Sequence, residues 1–382
     1  MDKINLDCAA TTRIDTDALA AMEAVMLNYF YNPSSHHCGG YEALEILKKN
    51  RAEVAKAVGA QESQIRFTSG GSEGDNWALN VFKHEGIIQN RKHIIISAME
   101  HHAITRCCES FKEEGFEITV IKPNNLGLII PEELEKHIKD TTIGVSIMAV
   151  NNEIGVIQDV EALGAVCHKH NVLFHTDAVQ AIPHMLFNLN NSNIDILTAS
   201  AHKFNGPRGV GFIYFSNRCP IYPLIYGGNQ EFGSRAGTEN LPAIVGMAVA
   251  LAWRVKYLEE EMDINNNYEK YKYIVERLKN NITGFHLTSN DYCVPNIINF
   301  YVDGVIGEAL IATLSNSGIC CSAGSACAAG ESEPSHVLLA LGLNKENAKN
   351  SIRISFDYST TWREIEFAMD KIVRDIKWLK GE

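Results

Sequence analysis

The sequence predicts an α/β fold, a mostly parallel central sheet with helices on both faces, joined to a smaller α+β unit. Three observations predict it. Short apolar runs alternate with amphipathic stretches through about residue 215. Several of these runs are continuously apolar, as strands buried on both faces are. Beyond them the rhythm changes to long helical stretches with two isolated strands.

The candidate strands of the first part are Ile65–Thr68, His93–Ser97, Gly144–Val150, Val172–Thr176, Ile194–Ala199 and Gly209–Phe215. Helical stretches lie between them at 74–89, with Trp77, Leu79, Val81 and Phe82, and at 101–114, 131–139 and 160–170. Pro131 suits a first helical position, where its missing N–H costs nothing. Asp159 suits an N-cap. Residues 241–261 read as one long helix and a strut between two domains, and 264–282 as a second helix. Then come a strand at Asn296–Val302, a helix at 307–317, a strand at Ser351–Phe356 and a helix at 361–380. The expected division is a large domain over 14–258 and a small one formed by 1–13 with 259–382.

Composition excludes several classes. The 382 residues suffice for a real core, and 28 Gly with 10 Pro are too few for a low-complexity chain. A net charge of −12 argues against direct nucleic-acid or anionic-membrane binding, since both need a basic footprint. No apolar run approaches the roughly 18 residues that span a bilayer. The start, Met1-Asp2-Lys3-Ile4-Asn5, lacks the pattern of a secretory signal, so a cytoplasmic setting with reduced thiols is expected. The ten cysteines are then read as small buried packing residues. With no CxxC pair and no HExxH, no metal site is expected.

Candidate chemistry begins at Ser200-Ala201-His202-Lys203-Phe204-Asn205-Gly206-Pro207, which follows a strand. A lysine held among hydrogen-bonding groups before a Gly-Pro turn suits a Schiff-base lysine, although a surface lysine in a turn has the same local look. Asp177, in His175-Thr176-Asp177-Ala178-Val179-Gln180, stands at a strand end, where α/β sheets bind ligands. A carboxylate there can keep a pyridinium nitrogen protonated, with Gln180 one helical turn on; capping the next helix is the plainer alternative. Thr68-Ser69-Gly70-Gly71-Ser72-Glu73 runs from strand to helix and suits an anion cradle, though a Gly-Gly turn alone is a weak sign. His101 follows the strand 93–97, placed to stack on a planar group or move protons. Asn152, in Asn151-Asn152-Glu153-Ile154-Gly155, offers an amide after the strand at 144–150, and Gly155 a turn.

Together these motifs resemble the class V aminotransferase group of pyridoxal-phosphate enzymes. Gly318-Ile319-Cys320-Cys321-Ser322-Ala323-Gly324-Ser325-Ala326-Cys327, with Glu333-Pro334-Ser335-His336 and Ser351-Ile352-Arg353, narrows the resemblance to cysteine desulfurases of the NifS/IscS type. It runs from Leu6-Asp7-Cys8-Ala9-Ala10 to Arg353. The resemblance implies fold type I of the pyridoxal 5'-phosphate enzymes and conversion of L-cysteine to L-alanine, with sulfur passing to a cysteine persulfide. It implies that Lys203 forms the Schiff base, that Asp177 and Gln180 meet the ring, that His101 stacks on it and that Asn152 lies beside it. By the same resemblance Gly71, Ser72, Ser200 and His202 hold the phosphate. Thr238 reaches the phosphate of a partner subunit, which implies a homodimer. Arg353, with Asn152, binds the substrate, and Cys327 takes the sulfur. Small residues flank Cys327, so its loop, about 320–335, is expected to be exposed and mobile. The implied sulfur acceptor is an iron–sulfur scaffold or another acceptor protein.

Departures from the family pattern stand at Asn229, Phe232, Ala236 and Asp357. They bear on acceptor choice and rate more than on the reaction. The competing expectations are a selenocysteine lyase or aminotransferase on the same fold, and a non-catalytic sulfur or metal carrier.

Overall fold

The structure is a computed structural model that describes residues 3–261, 264–323 and 333–382. In chain order its elements begin with β1 (Ile4–Asn5), α1 (Thr16–Asn28), α2 (Cys38–Ala57), β2 (Ile65–Thr68), α3 (Gly71–Ile88), β3 (His93–Ser97), α4 (His102–Lys112) and β4 (Glu117–Ile121). Next come α5 (Pro131–His137), β5 (Thr142–Ser146), α6 (Val160–Lys169), β6 (Leu173–Asp177), β7 (Ile196–Ser200), β8 (Gly211–Phe215) and α7 (Leu241–Glu259). The remainder comprises α8 (Ile264–Asn281), β9 (Phe285–Leu287), β10 (Ile297–Val302), α9 (Gly307–Asn316), β11 (Ile319–Cys320), β12 (Ser322–Ala323), α10 (His336–Ala340), α11 (Lys345–Lys349), β13 (Ile352–Ser355) and α12 (Trp362–Lys380).

Seven strands form the main sheet in the order β2-β8-β7-β6-β5-β3-β4. All its pairs are parallel except those of β8, which runs antiparallel to both neighbours. Every residue of β5, β6, β7 and β8 is buried, which is why they read as unbroken apolar runs. Side chains alternate between two cores. Ile95, Leu197, Phe212 and Tyr214 join the cluster filled by α1, α2, α6 and α7. Ile94, Ile96, Ile213 and Phe215 face Trp77 and Phe82 of α3 and Ile104 and Phe111 of α4. Helices therefore cover both faces, as expected.

The second sheet is antiparallel, β12-β13-β10-β9, and packs its own apolar cluster against α8, α9 and α12. Helix α12 starts at a capping box, Thr361 with Glu364, and ends at Gly381 in the left-handed conformation. Residues 4–12 run between the sheets. Leu6 N donates to Cys320 O and Ser355 N to Leu6 O, both at 2.8 Å, and Thr12 N donates to His202 O at 3.0 Å.

Several expectations need correction. Helix α7 is no strut between domains: it lies in the core of the main layer, packed on α1 and α2. A Cβ at Gly246 would stand 2.5 Å from Met22 Cγ, so the glycine lets α1 and α7 approach closely. By length and composition α7 is also long and apolar enough to cross a membrane, against the expectation that no run is; 61% of that window is buried in the fold. The run 144–150 is strand only to Ser146, and residues 179–184 are turns rather than a helix, with Pro183 lacking the N–H a helix needs. Pattern reading passes over β1, β4, β9, β11, β12, α1, α2, α10 and α11. The nine described cysteines are free. Cys8, Cys108, Cys167, Cys219 and Cys321 are buried, but Cys38 and Cys320 are exposed, so packing does not account for those two. Strand alternation turns Cys320 outward between buried Ile319 and Cys321.

Candidate active site

The site forms where the parallel strands end. β6 ends at Asp177 and β7 at Ser200; β2 leads to Gly70 and Gly71, β3 to His101, and β5 to Asn152. Their side chains and backbone meet at a cavity of about 360 Å³. Gly71, Ser72, His101, Asn152, Asp177 and Gln180 line it, with Ser200, His202, Lys203 and Arg353. Two expected residues are not brought there. Thr238 is exposed and outside the lining, and Cys327 lies outside the described residues.

One wall is the start of α3. No side chain caps this helix, so its first N–H groups remain available to an anion. Gly70 has φ +149°, a conformation that L side chains rarely adopt. A Cβ at Gly71 would stand 2.8 Å from Val179 Cγ2 and fill the cradle. Ser72, Ser200 and His202 surround it with polar groups. Glu73, the acidic residue of the same turn, is held by Arg235 at 2.9 and 3.1 Å, and this pairing keeps its carboxyl below the usual range despite burial.

Opposite the cradle, Lys203 Nζ donates to Ala9 O at 2.5 Å and Ala10 O at 3.0 Å. Gln180 Nε2 donates to the same Ala9 O at 2.6 Å. Asp177 is buried, and Val179 N–H donates to its Oδ1 at 2.8 Å. Burial raises Asp177 to about 6, against the pull of that N–H and the Lys203 charge. His101 caps α4 by accepting from Ala103 N at 3.1 Å. Burial, then Lys203 and His336, holds its imidazole below the ordinary value. His202 is lowered to about 4 by burial and by Lys203.

The second sheet contributes Arg353, which is 1% exposed. It donates to Asn152 O at 2.8 Å and to Asp7 Oδ1 at 2.7 Å. Its Nε has no hydrogen-bond partner among the described residues. Ser335 donates to Glu153 Oε2 at 2.5 Å, and His336 Nε2 lies 2.9 Å from Glu100 O, so the chain after residue 332 is fastened beside this cavity. Asn151 shapes the turn by accepting from Glu153 and Ile154 N–H, and Gly155 takes φ +79° there. Sequence reading misses Asp75 and Met148 in the lining. Asp75 stands four residues after Gly71 on α3, the spacing of one helical face, which is the signal that finds it.

A lysine, a buried carboxylate and a phosphate cradle around one cavity fit a phosphorylated pyridine aldehyde. Among the described residues, no group of three or more His, Cys, Asp or Glu could hold a metal. The aminotransferase class-V family model matches residues 4–367. The chain belongs to this family. A class-V relative from Bacillus subtilis, named putative cysteine desulfurase IscS 1, is 38% identical over 387 residues, covering 99% of this chain and 100% of that one. Another, named cysteine desulfurase IscS, from Dictyoglomus turgidum, is 38% identical over 379 residues, 99% and 95% of the two chains. Among solved structures, one titled a NifS-like protein superposes with a TM-score of 0.91 at 35% identity, over 98% and 100% of the chains. A structure titled SspA in complex with cysteine gives 0.81 at 31% identity, over 94% and 100%.

Proposed function

We propose that this class-V protein is a pyridoxal-phosphate-dependent cysteine desulfurase that converts L-cysteine to L-alanine and leaves the sulfur on Cys327. The observation that carries the reading is the meeting of Lys203, Asp177 and the α3 cradle with Arg353 at one cavity. The cysteine desulfurase names of the relatives support it.

Bound pyridoxal phosphate would supply an electron sink for the charge left when the α-proton departs. Lys203 would be the attachment point, and Lys203 or the nearby His101 imidazole the base that takes that proton. Asp177 would hold a proton at the ring nitrogen, and Gln180 would donate toward the ring oxygen. His101 and Asn152 would hold the ring, and Gly71, Ser72, Ser200 and His202 the phosphate. Arg353 binds the substrate carboxylate. The Cys327 thiolate attacks the substrate sulfur. An S–S bond forms as the Cβ–Sγ bond breaks, the electron pair stays with carbon, one proton goes to Cβ, and the proton taken from Cα returns there to complete alanine.

The proposal includes two domains, 14–258 and 1–13 with 259–382, supported by the separate apolar clusters of the two sheets. It includes a homodimer, in which Thr238 of one copy reaches the phosphate of the other; the exposure of Thr238 outside the cavity supports this. The acceptor is an iron–sulfur scaffold or another sulfur-acceptor protein, a reading in keeping with the IscS names of the relatives, and the setting is cytoplasmic, supported by the free cysteines among the described residues.

The test incubates pure holoprotein with L-cysteine and measures alanine and protein persulfide together. A single turnover should yield the two in equal amounts. Alanine without persulfide, or no alanine, overturns the reading.

A further inference from the structure

We propose that Asp75 carries the buried proton of the cavity wall and so leaves Asp177 as the ionised carboxylate of the site. The first part of this inference stands on the protein alone; the second rests on the cofactor reading above.

Asp75 is 1% exposed and lines the cavity from α3. Its Oδ1 has no hydrogen-bond partner among the described residues. Its carboxyl bonds the Thr198 hydroxyl on β7. The acidic groups that face it are Asp177 at the end of β6, whose charge is of its own sign, and Glu100 after β3, which would add to that repulsion only if ionised. Cys107 on α4 also faces it electrostatically, and a thiolate there would add a further negative charge. The imidazole in reach is His175, whose Nε2 lies 3.8 Å from Asp75 Oδ1. That ring is fully buried and already placed between Ser146 Oγ at 2.9 Å and Thr198 Oγ1 at 3.0 Å. Burial holds His175 neutral, down at about 3. Among the described residues no cation therefore compensates an Asp75 carboxylate, and an uncompensated buried charge is neutralised by taking up a proton.

Each acid has one donor, the Thr198 hydroxyl at Asp75 and the Val179 N–H at Asp177 at 2.8 Å. Asp177 differs in that the Lys203 charge favours its ionised form. One proton available to two neighbouring acids settles on the one without a cation beside it, which is Asp75. The chain Thr198–His175–Ser146 accommodates it. With Asp75 donating to Thr198, Thr198 donates to His175 Nε2, and His175 Nδ1–H donates to Ser146. Asp75 is thus a positioning residue that acts on the cofactor through Asp177.

Infrared spectroscopy of the full-length holoprotein near neutral pH tests this. The wild type should show a carboxylic-acid C=O stretch that disappears in Asp75→Asn and persists in Asp177→Asn. Glu100 gives a band of its own, identified with Glu100→Gln. Asp75→Asn mimics the neutral acid, so it should keep the visible cofactor band; loss of that band in a folded variant, with the infrared result intact, refutes the role but not the protonation. Absence of an Asp75-dependent stretch, or its loss in Asp177→Asn instead, overturns the proposal. Should Asp75→Asn fail to fold, Thr198→Val serves: the stretch should shift in frequency, and an unshifted band overturns the proposal. The stretch needs no cofactor, so failure of the cofactor reading leaves it in place.

Discussion

Arg353 Nη2 donates to Asp7 Oδ1 at 2.7 Å, tying β13 of the second sheet to the N-terminal segment at the edge of the cavity. Two oxygens, Asp7 Oδ1 and Asn152 O, thus orient a guanidinium that is 1% exposed. A planar fork held this way suits a substrate carboxylate.

Arg353→Gln should raise KM for L-cysteine by roughly 10–100-fold, the worth of a charge-assisted hydrogen bond, with a smaller change in kcat. Asp7→Asn should lower KM, because the guanidinium loses a competing carboxylate. Steady-state kinetics decide both; an unchanged KM in Arg353→Gln removes the residue from substrate binding.

Cys327→Ala should keep the visible cofactor band and lose sulfide release from L-cysteine. Lys203→Ala should lose alanine formation as well, by about 10²–10⁴-fold or more, the scale of a positioned base. Absorbance spectra with parallel alanine and sulfide assays separate the two. Undiminished sulfide release by Cys327→Ala sinks its assigned role.

Stability should fall as the pH is lowered from the ordinary imidazole range toward 3. His175 is buried neutral and titrates at about 3 in the fold, well below its unfolded value. Its contribution is complete above the unfolded value and is lost as the unfolded chain, but not the fold, takes up a proton. Asp75 and Glu100 act in the opposite direction, since burial raises both above the unfolded carboxylate. Their contribution is present at low pH and is lost as pH rises past the unfolded carboxylate value. Thermal melts of His175→Gln and wild type at neutral pH and near 5 measure the imidazole part. The drop in Tm should be smaller in the variant.

Arg51 and Glu231 form a buried bidentate pair at 2.7 Å in both contacts, and Glu231 also accepts from Phe67 N at 2.8 Å. Glu231→Gln should destabilise the fold by about 3–5 kcal/mol, because it leaves an uncompensated guanidinium beside Arg66. Denaturant titration reads the loss. A change below about 1 kcal/mol, the worth of a surface pair, contradicts it.

The main sheet is legible where strands are buried on both faces and bounded by turn residues. β2 and β3 match their expected limits because Ser69-Gly70 and Arg91-Lys92 punctuate them. β4 escapes because it lies at the sheet's edge with half-exposed residues, so no apolar run marks it. Cavity residues are legible where a motif follows a strand, as at Asp177, Lys203 and His101. Asp75 follows no strand end and is legible only through its helical spacing from Gly71, the geometry that carries it to the wall. The contact of Arg353 with Asp7 spans 346 positions and leaves no local signal.

The N-terminal segment also dictates an order of assembly. Ile4 bonds to Gly318, Leu6 to Cys320 and Ala9 to Ser355, while the carbonyls of Ala9 and Ala10 hold Lys203. During synthesis, residues 4–9 must therefore wait for more than three hundred further residues before Gly318, Cys320 and Ser355 exist, although Lys203 emerges far sooner. The strands that hold this segment in place are thus among the last to arrive, and a nascent chain stopped short of β13 has its main sheet without a finished site.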